Sequence, residues 1–231
     1  MIYYCGVKSM NFLRGWIFVS LLILFTEKRF VLSQGMTVDA IDNDFNDDSL
    51  MPFMDACAFG KADIVLEMID DSPDIAKAAS HDGESCLHLC SIPEDHESAV
   101  KIVEALLQNG ADVNLRVTHD QGVRMTPLAW HTWGNRLETV QLLLQQKSID
   151  INMDFNLATT NSAKVTATDI SFMLTSVGDD VTDLGKRQVQ LYNLLRENGG
   201  KQYKELFPDD TAHHMSMDRS KQGDDEETYG L

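Results

Sequence analysis

Positive charge is what this chain has least of. Nineteen Lys and Arg stand against 36 Asp and Glu, a formal net charge of -17 over 231 residues. A surface of that sign repels a phosphate backbone, which sets nucleic acid aside as a partner and favours basic or neutral protein surfaces. Cysteine is scarce too. Cys5, Cys57, Cys86 and Cys90 are spaced unlike the framework of a disulfide-rich secreted domain. They read as small buried hydrophobes in reducing surroundings. The chain has no Asn-x-Ser/Thr site, no G-x-S-x-G elbow, no Gly-rich phosphate loop, no H-E-x-x-H pair and no kinase signature. No catalytic, cofactor-binding or metal-binding residue is therefore named, and a non-enzymatic protein is expected. About 160 residues of folded chain leave no room for a second, catalytic domain.

Long apolar runs are also missing. The apolar stretch Trp16 to Phe25 reads WIFVSLLILF, ten residues without a charge, too short to span a bilayer comfortably. Lys8 and Arg14 precede it, and Glu27, Lys28 and Arg29 follow at once. Three readings of residues 1–35 stay open: a signal peptide with small residues near Ser33 to Gly35, an uncleaved membrane anchor using residues 12–25, or a leader before a true start at Met36. The last would make the protein cytoplasmic, and the lack of paired cysteines and glycosylation sites counts for it. The first two would place it on the secretory route or at a membrane. Residues 36–50, MTVDAIDNDFNDDSL, read as an acidic linker.

What is present from Met51 on is repetition. Pairs of short helical segments are each followed by turn residues. The pairs begin MPFMDACAFGKADIVLEMI at Met51, SCLHLCS at Ser85, TPLAWHT at Thr126 and TATDISF at Thr166. The second closes IVEALLQNGADVN, the third continues NRLETVQLLL, and the fourth ends LYNLLRENGG. Ser85 and Thr126 are placed to cap helices, and Pro127 suits a first turn where a missing N–H is harmless, with Pro52 read in the same place. Gly110 ends a helix with a residue free to take positive φ. Leu142, Leu143 and Leu144, like Ala105, Leu106 and Leu107, give second helices a buried stripe.

These segments resemble ankyrin repeats, whose pattern runs T-P-L-H-x-A-A, then V-V-x-L-L-L, then G-A-D-V-N. The resemblance covers residues 50–206 and implies an all-α solenoid of about four stacked helix-turn-helix units with inserted loops, a domain at 51–206, and a disordered polar tail at 207–231. The starts are 34, 41 and 40 residues apart, against about 33 for the family. The excess falls near Pro93 to His96, in 114–126, in 152–166, and in VGDDVTDLGKR between the last two helices. Repeats 1 and 4 read as caps.

The resemblance also implies a job: holding another protein, as a monomeric domain of rigid shape. Partners of such domains contact the hairpin tips and first helices. Carried over by position, Phe59, Ile92, Trp133 and Met173 would line up across the four repeats, with Arg124 and Met125 beside them. An apolar row of that size marks an interface unless the long loops fold over it. Two metal readings were weighed. His81, Cys86, His88, Cys90 and His96 crowd together like zinc or redox-sensor ligands. His88, however, occupies the pattern's histidine, which serves local hydrogen bonding. Asp42, Asp44 and Asn46 alternate like a calcium loop, but Asp47 stands where Gly is needed and Phe53 where Glu is needed.

Overall fold

The structure, a computed structural model, describes residues 47–117, 124–156, 164–177 and 182–210, all within the unit Phe45–Leu231. Residues 1–46 and 211–231 lie outside them, and with them the leader, most of the acidic linker and most of the tail.

Eight helices alternate in two layers. The first helices are α1 (Asp47–Ala58), α3 (Cys86–Leu89), α5 (Pro127–Trp133) and α7 (Ala167–Val177). The second helices are α2 (Ala62–Asp71), α4 (His96–Gln108), α6 (Leu137–Leu144) and α8 (Asp183–Glu197). Each first helix packs on the next first helix and each second helix on the next second helix. A short α9 (Tyr203–Leu206) follows, and a 3-10 turn (Pro73–Lys77) links repeats 1 and 2. The architecture is a solenoid of stacked helical hairpins.

The core runs through the stack. Phe53 and Val65, Leu87 with Ile102, Val103 and Leu106, Leu128 with Val140 and Leu143, and Ile170 with Leu191 and Leu195 are all buried. Burying one such side chain contributes about 1.5–3 kcal/mol. No hairpin could cover its own apolar face, so stability accrues at the interfaces between repeats.

Short antiparallel pairings join the described residues that flank the links between repeats. Ala79 bridges Ser85, Val117 N–H donates to Met125 O at 3.1 Å, and β1 (Phe155–Asn156) pairs with β2 (Lys164–Val165). These ribbons are the strand content of the described residues.

Four expectations need amendment. Cys57 and Cys86 are not separate thiols: they form a disulfide, with Cα atoms 5.5 Å apart. Both are fully buried as expected, but stacking α1 on α3 brings them together. Pro52 lies inside α1, not in a first turn, because the helix starts at Asp47, within the acidic stretch. Acidic residues suit a helix N-terminus, which carries α1 upstream of the repeat pattern. In repeat 4 half of VGDDVTDLGKR is helix, since Thr182 caps α8 by accepting from Gly185 N–H at 3.1 Å. The tail's first residues are tied down, Tyr203 Oη donating to Asp210 at 2.9 Å.

Candidate protein-binding surface

The hairpin tips are built by a repeated device. A first helix ends in carbonyls without partners in its own helix, and at the second and third tips an arginine from the next repeat caps them. Arg136 donates from Nε to Ser91 O (2.8 Å) and from Nη2 to Ile92 O (3.0 Å). Arg187, one repeat on, donates from Nε to Asn135 O at 3.1 Å and pairs with Glu138. Between the two guanidinium groups sits His96, 3.5 Å from each. Its pKa is lowered by burial first and then by Arg136 and Arg187, against the pull of Glu138 and Asp95. At the first tip no arginine is used. Gly60 turns with φ +64° against Pro93, where a methyl on Gly60 would come within 2.9 Å of Pro93 Cβ.

That contact fixes the neighbours of both residues. Phe59 precedes Gly60 and Ile92 precedes Pro93, so two large side chains stand on adjoining tips, 57% and 42% exposed. The equivalent residues of repeats 3 and 4 sit differently. Trp133, Met125 and Met173 are half-buried and pack against the cluster Ala129, Phe155, Val165 and Ile170. The β1–β2 pair supplies Phe155 and Val165, so residues of an inserted loop cover one side of this part of the row. Arg124 is exposed, with φ 52°. Phe172, one residue before Met173, is 44% exposed and lies 5.9 Å from the Tyr192 ring.

Behind the tips, buried polar groups fasten the first helices. His88 Nδ1 accepts from Ser85 N–H (3.2 Å) and lies 3.0 Å from its hydroxyl. His131 Nε2 reaches Leu87 O at 3.0 Å and its Nδ1 lies 2.6 Å from Thr139 Oγ1. Burial, with His131 nearby, pushes His88 down to about 3; burial pushes His131 down to about 4. Both rings are neutral at ordinary pH, and since Leu87 O can only accept, Nε2 of His131 donates to it. In repeat 4 Asp169 takes the histidine's place. Its Oδ2 accepts from Thr166 N–H (2.9 Å) and from Tyr203 N–H (2.7 Å), which docks α9 on the last repeat.

The five residues weighed for zinc do not converge. Cys86 is bonded to Cys57, His81 and His96 are exposed, and His88 is held by Ser85. Among the described residues no group of three or more His, Cys, Asp or Glu side chains is placed to hold a metal ion. Among them, too, no helix is long and apolar enough to cross a membrane.

Two sets of residues escaped the sequence reading. One is the tip arginines, Arg136 just before its second helix and Arg187 one turn inside its own. The other is an asparagine ladder. Asn114 donates to Ser148 O (2.6 Å) and accepts from Asp150 N–H (2.8 Å). Asn152 repeats this on Gly199 O (3.2 Å) and Lys201 N–H (2.8 Å). The Asn that ends the G-A-D-V-N segment thus bridges one repeat's turn to the next.

A hairpin solenoid with this capping pattern defines the class. Residues 53–155 match the family model described as ankyrin repeats (3 copies). That stretch carries ankyrin repeats, and domains of this kind are generally non-catalytic modules for protein interaction. The fourth hairpin lies beyond the match and continues the stack in the structure. No curated protein matches the chain.

Proposed function

We propose that this protein holds a protein partner across its hairpin tips, with Phe59 and Ile92 as the apolar anchors. The observation that carries the reading is their exposure on adjoining tips whose backbone is fixed by the Gly60–Pro93 contact. Large apolar side chains on a rigid frame lose little entropy on binding, and such anchors dominate interface energies. Arg124, Met125, Trp133 and Met173 extend the surface, each of the last three giving one side to the core and one to the partner. The acidic surroundings select a basic or neutral partner and speed the encounter. In the test, bait carrying Phe59→Asp and Ile92→Asp is compared with wild type for the proteins it captures from the source cell, helicity being checked by circular dichroism. Loss of specific partners with helicity intact supports the reading; an unchanged set of partners refutes it.

One observation favours a second reading, delivery to the secretory route. Disulfides persist in oxidising compartments, and Cys57–Cys86 removes the argument that paired cysteines are lacking. Fractionation of tagged cells decides: a protein found wholly in the cytosol with Cys57 and Cys86 reduced rejects it.

A further inference from the structure

We infer that the Cys57–Cys86 pair is a redox-set clasp that fixes repeat 1 on repeat 2 and thereby governs whether the Phe59–Ile92 surface is assembled. The inference rests on the binding-surface reading above and names how that surface is regulated. Cys57 lies two residues before Phe59, and Cys86 opens α3, whose following turn presents Ile92. The bond therefore joins the two tips at their base, between Cα atoms 5.5 Å apart, within the span a disulfide accepts.

Repeat 1 needs such a tie more than its fellows. Repeats 2 and 4 open with polar networks, Ser85 with His88 and Thr166 with Asp169, and repeat 3 opens on the capping hydroxyl of Thr126. Repeat 1 reads Met51-Pro52-Phe53-Met54 at those positions, with no hydroxyl and no histidine. Arg136 holds the end of repeat 2's first helix and Arg187 that of repeat 3, whereas the end of α1 turns at Gly60 against Pro93. Among the described residues it also packs on one neighbouring repeat only. A covalent link there replaces ties that the other repeats make without one.

Closure takes one electron and one proton from each thiol. The acceptor is a disulfide of an oxidised dithiol reagent or oxidoreductase, which leaves as two thiols. A dithiol reductant reverses the step, becoming a disulfide itself. Both sulfurs are fully buried, so either exchange waits for α1 to lift from α3. The remaining buried thiol, Cys90, is kept protonated because burial raises its pKa, which keeps it from attacking Cys86 one turn away.

Hydrogen exchange of the full chain, read by mass spectrometry without any partner, tests the clasp. Samples are the protein oxidised with an oxidised dithiol, the protein refolded in dithiothreitol, and the double variant Cys57→Ala/Cys86→Ala. Removing a crosslink across 29 residues should raise local opening of α1 and α2 by of order 10²-fold. Amides of α5 and α6 should keep their rates in all three. Rates in α1 and α2 that agree within about threefold between the oxidised and reduced samples overturn the proposal. So does equal loosening of all four repeats, or a peptide map of the oxidised protein that lacks the Cys57–Cys86 link. Because no partner is present, these failures are distinct from failure of the binding surface, which the aspartate variants test.

Discussion

Acid should unfold this domain through two histidines before its carboxylates begin to titrate. His88 and His131 are both fully buried, on α3 and α5, and His131 stands close enough to lower His88 further. Their pKa values of about 3 and about 4 compare with about 6.5 in an unfolded chain. Between about pH 6.5 and pH 4 the unfolded chain therefore binds protons that the folded chain does not. Stability then rises with pH across the window and is lost as pH falls. At about pH 5 each ring lowers stability by about 2 kcal/mol relative to about pH 7.5, or about 4 kcal/mol for the pair. That is a large part of the roughly 5–15 kcal/mol holding a typical domain together. His96, also lowered, acts in the same direction. The assay is urea denaturation followed by circular dichroism at both pH values. His88→Asn and His131→Asn each cost absolute stability but should each remove about half of the pH-dependent loss. A wild-type midpoint that does not move between the two pH values would refute the reasoning. So would ring proton resonances of His88 and His131 that titrate near the ordinary value.

Three further outcomes follow from particular contacts. Gly200→Ala places a methyl 2.7 Å from Leu195 O and 2.6 Å from Thr168 Oγ1, and should cost about 1–3 kcal/mol in a thermal melt; the same change at Gly134, where the nearest atoms are 3.2 Å away and include a flexible Arg136 side chain, should cost less. Asn152→Ala leaves Gly199 O and Lys201 N–H without their side-chain bridge, and a loss of about 1–2 kcal/mol is expected by chemical denaturation. Arg136→Lys keeps the charge but loses the fork that reaches Ser91 O and Ile92 O, so amides around Ile92 should exchange faster while those of α2 do not.

Local chemistry was legible in the sequence wherever it acts within a few residues. Thr126 caps α5 by accepting from Ala129 N–H, Pro127 begins that helix, and Gly110 takes φ +81° after α4. Each follows from one residue type meeting one backbone need. What depends on stacking was not legible. Cys57 and Cys86 are far apart in the chain and meet only once α1 lies on α3. The placing of Trp133 and Met173 depends on Phe155 and Val165 reaching back from a strand pair that reads in sequence as a loop. In repeat 4 the segment LYNLLRENGG offers three leucines for the stripe, and Leu191 and Leu195 are the fully buried pair. The longer α8, extended upstream by the Thr182 cap, carries the register on its own.

The same position in successive repeats shows how the stack ends. Cys57, Ser91 and Thr132 occupy the second small place of their first helices, and all are buried. Cys57 shows which way the place faces, since its sulfur is bonded into the following repeat. In repeat 4 the place belongs to Phe172, 44% exposed against Tyr192. A phenyl ring there would collide with a further first helix packed as closely as α3 packs on α1, so the residue ends the array by bulk. Asp169 does the complementary work, turning a position that in repeat 2 carries a histidine into an acceptor for Tyr203 N–H and so docking α9 on the last repeat. The two ends of the solenoid are thus finished by different chemistry. Repeat 4 is closed by side chains that permanently oppose extension. Repeat 1 is secured by a bond that oxidation can make and reduction can break, and it is the end that carries Phe59.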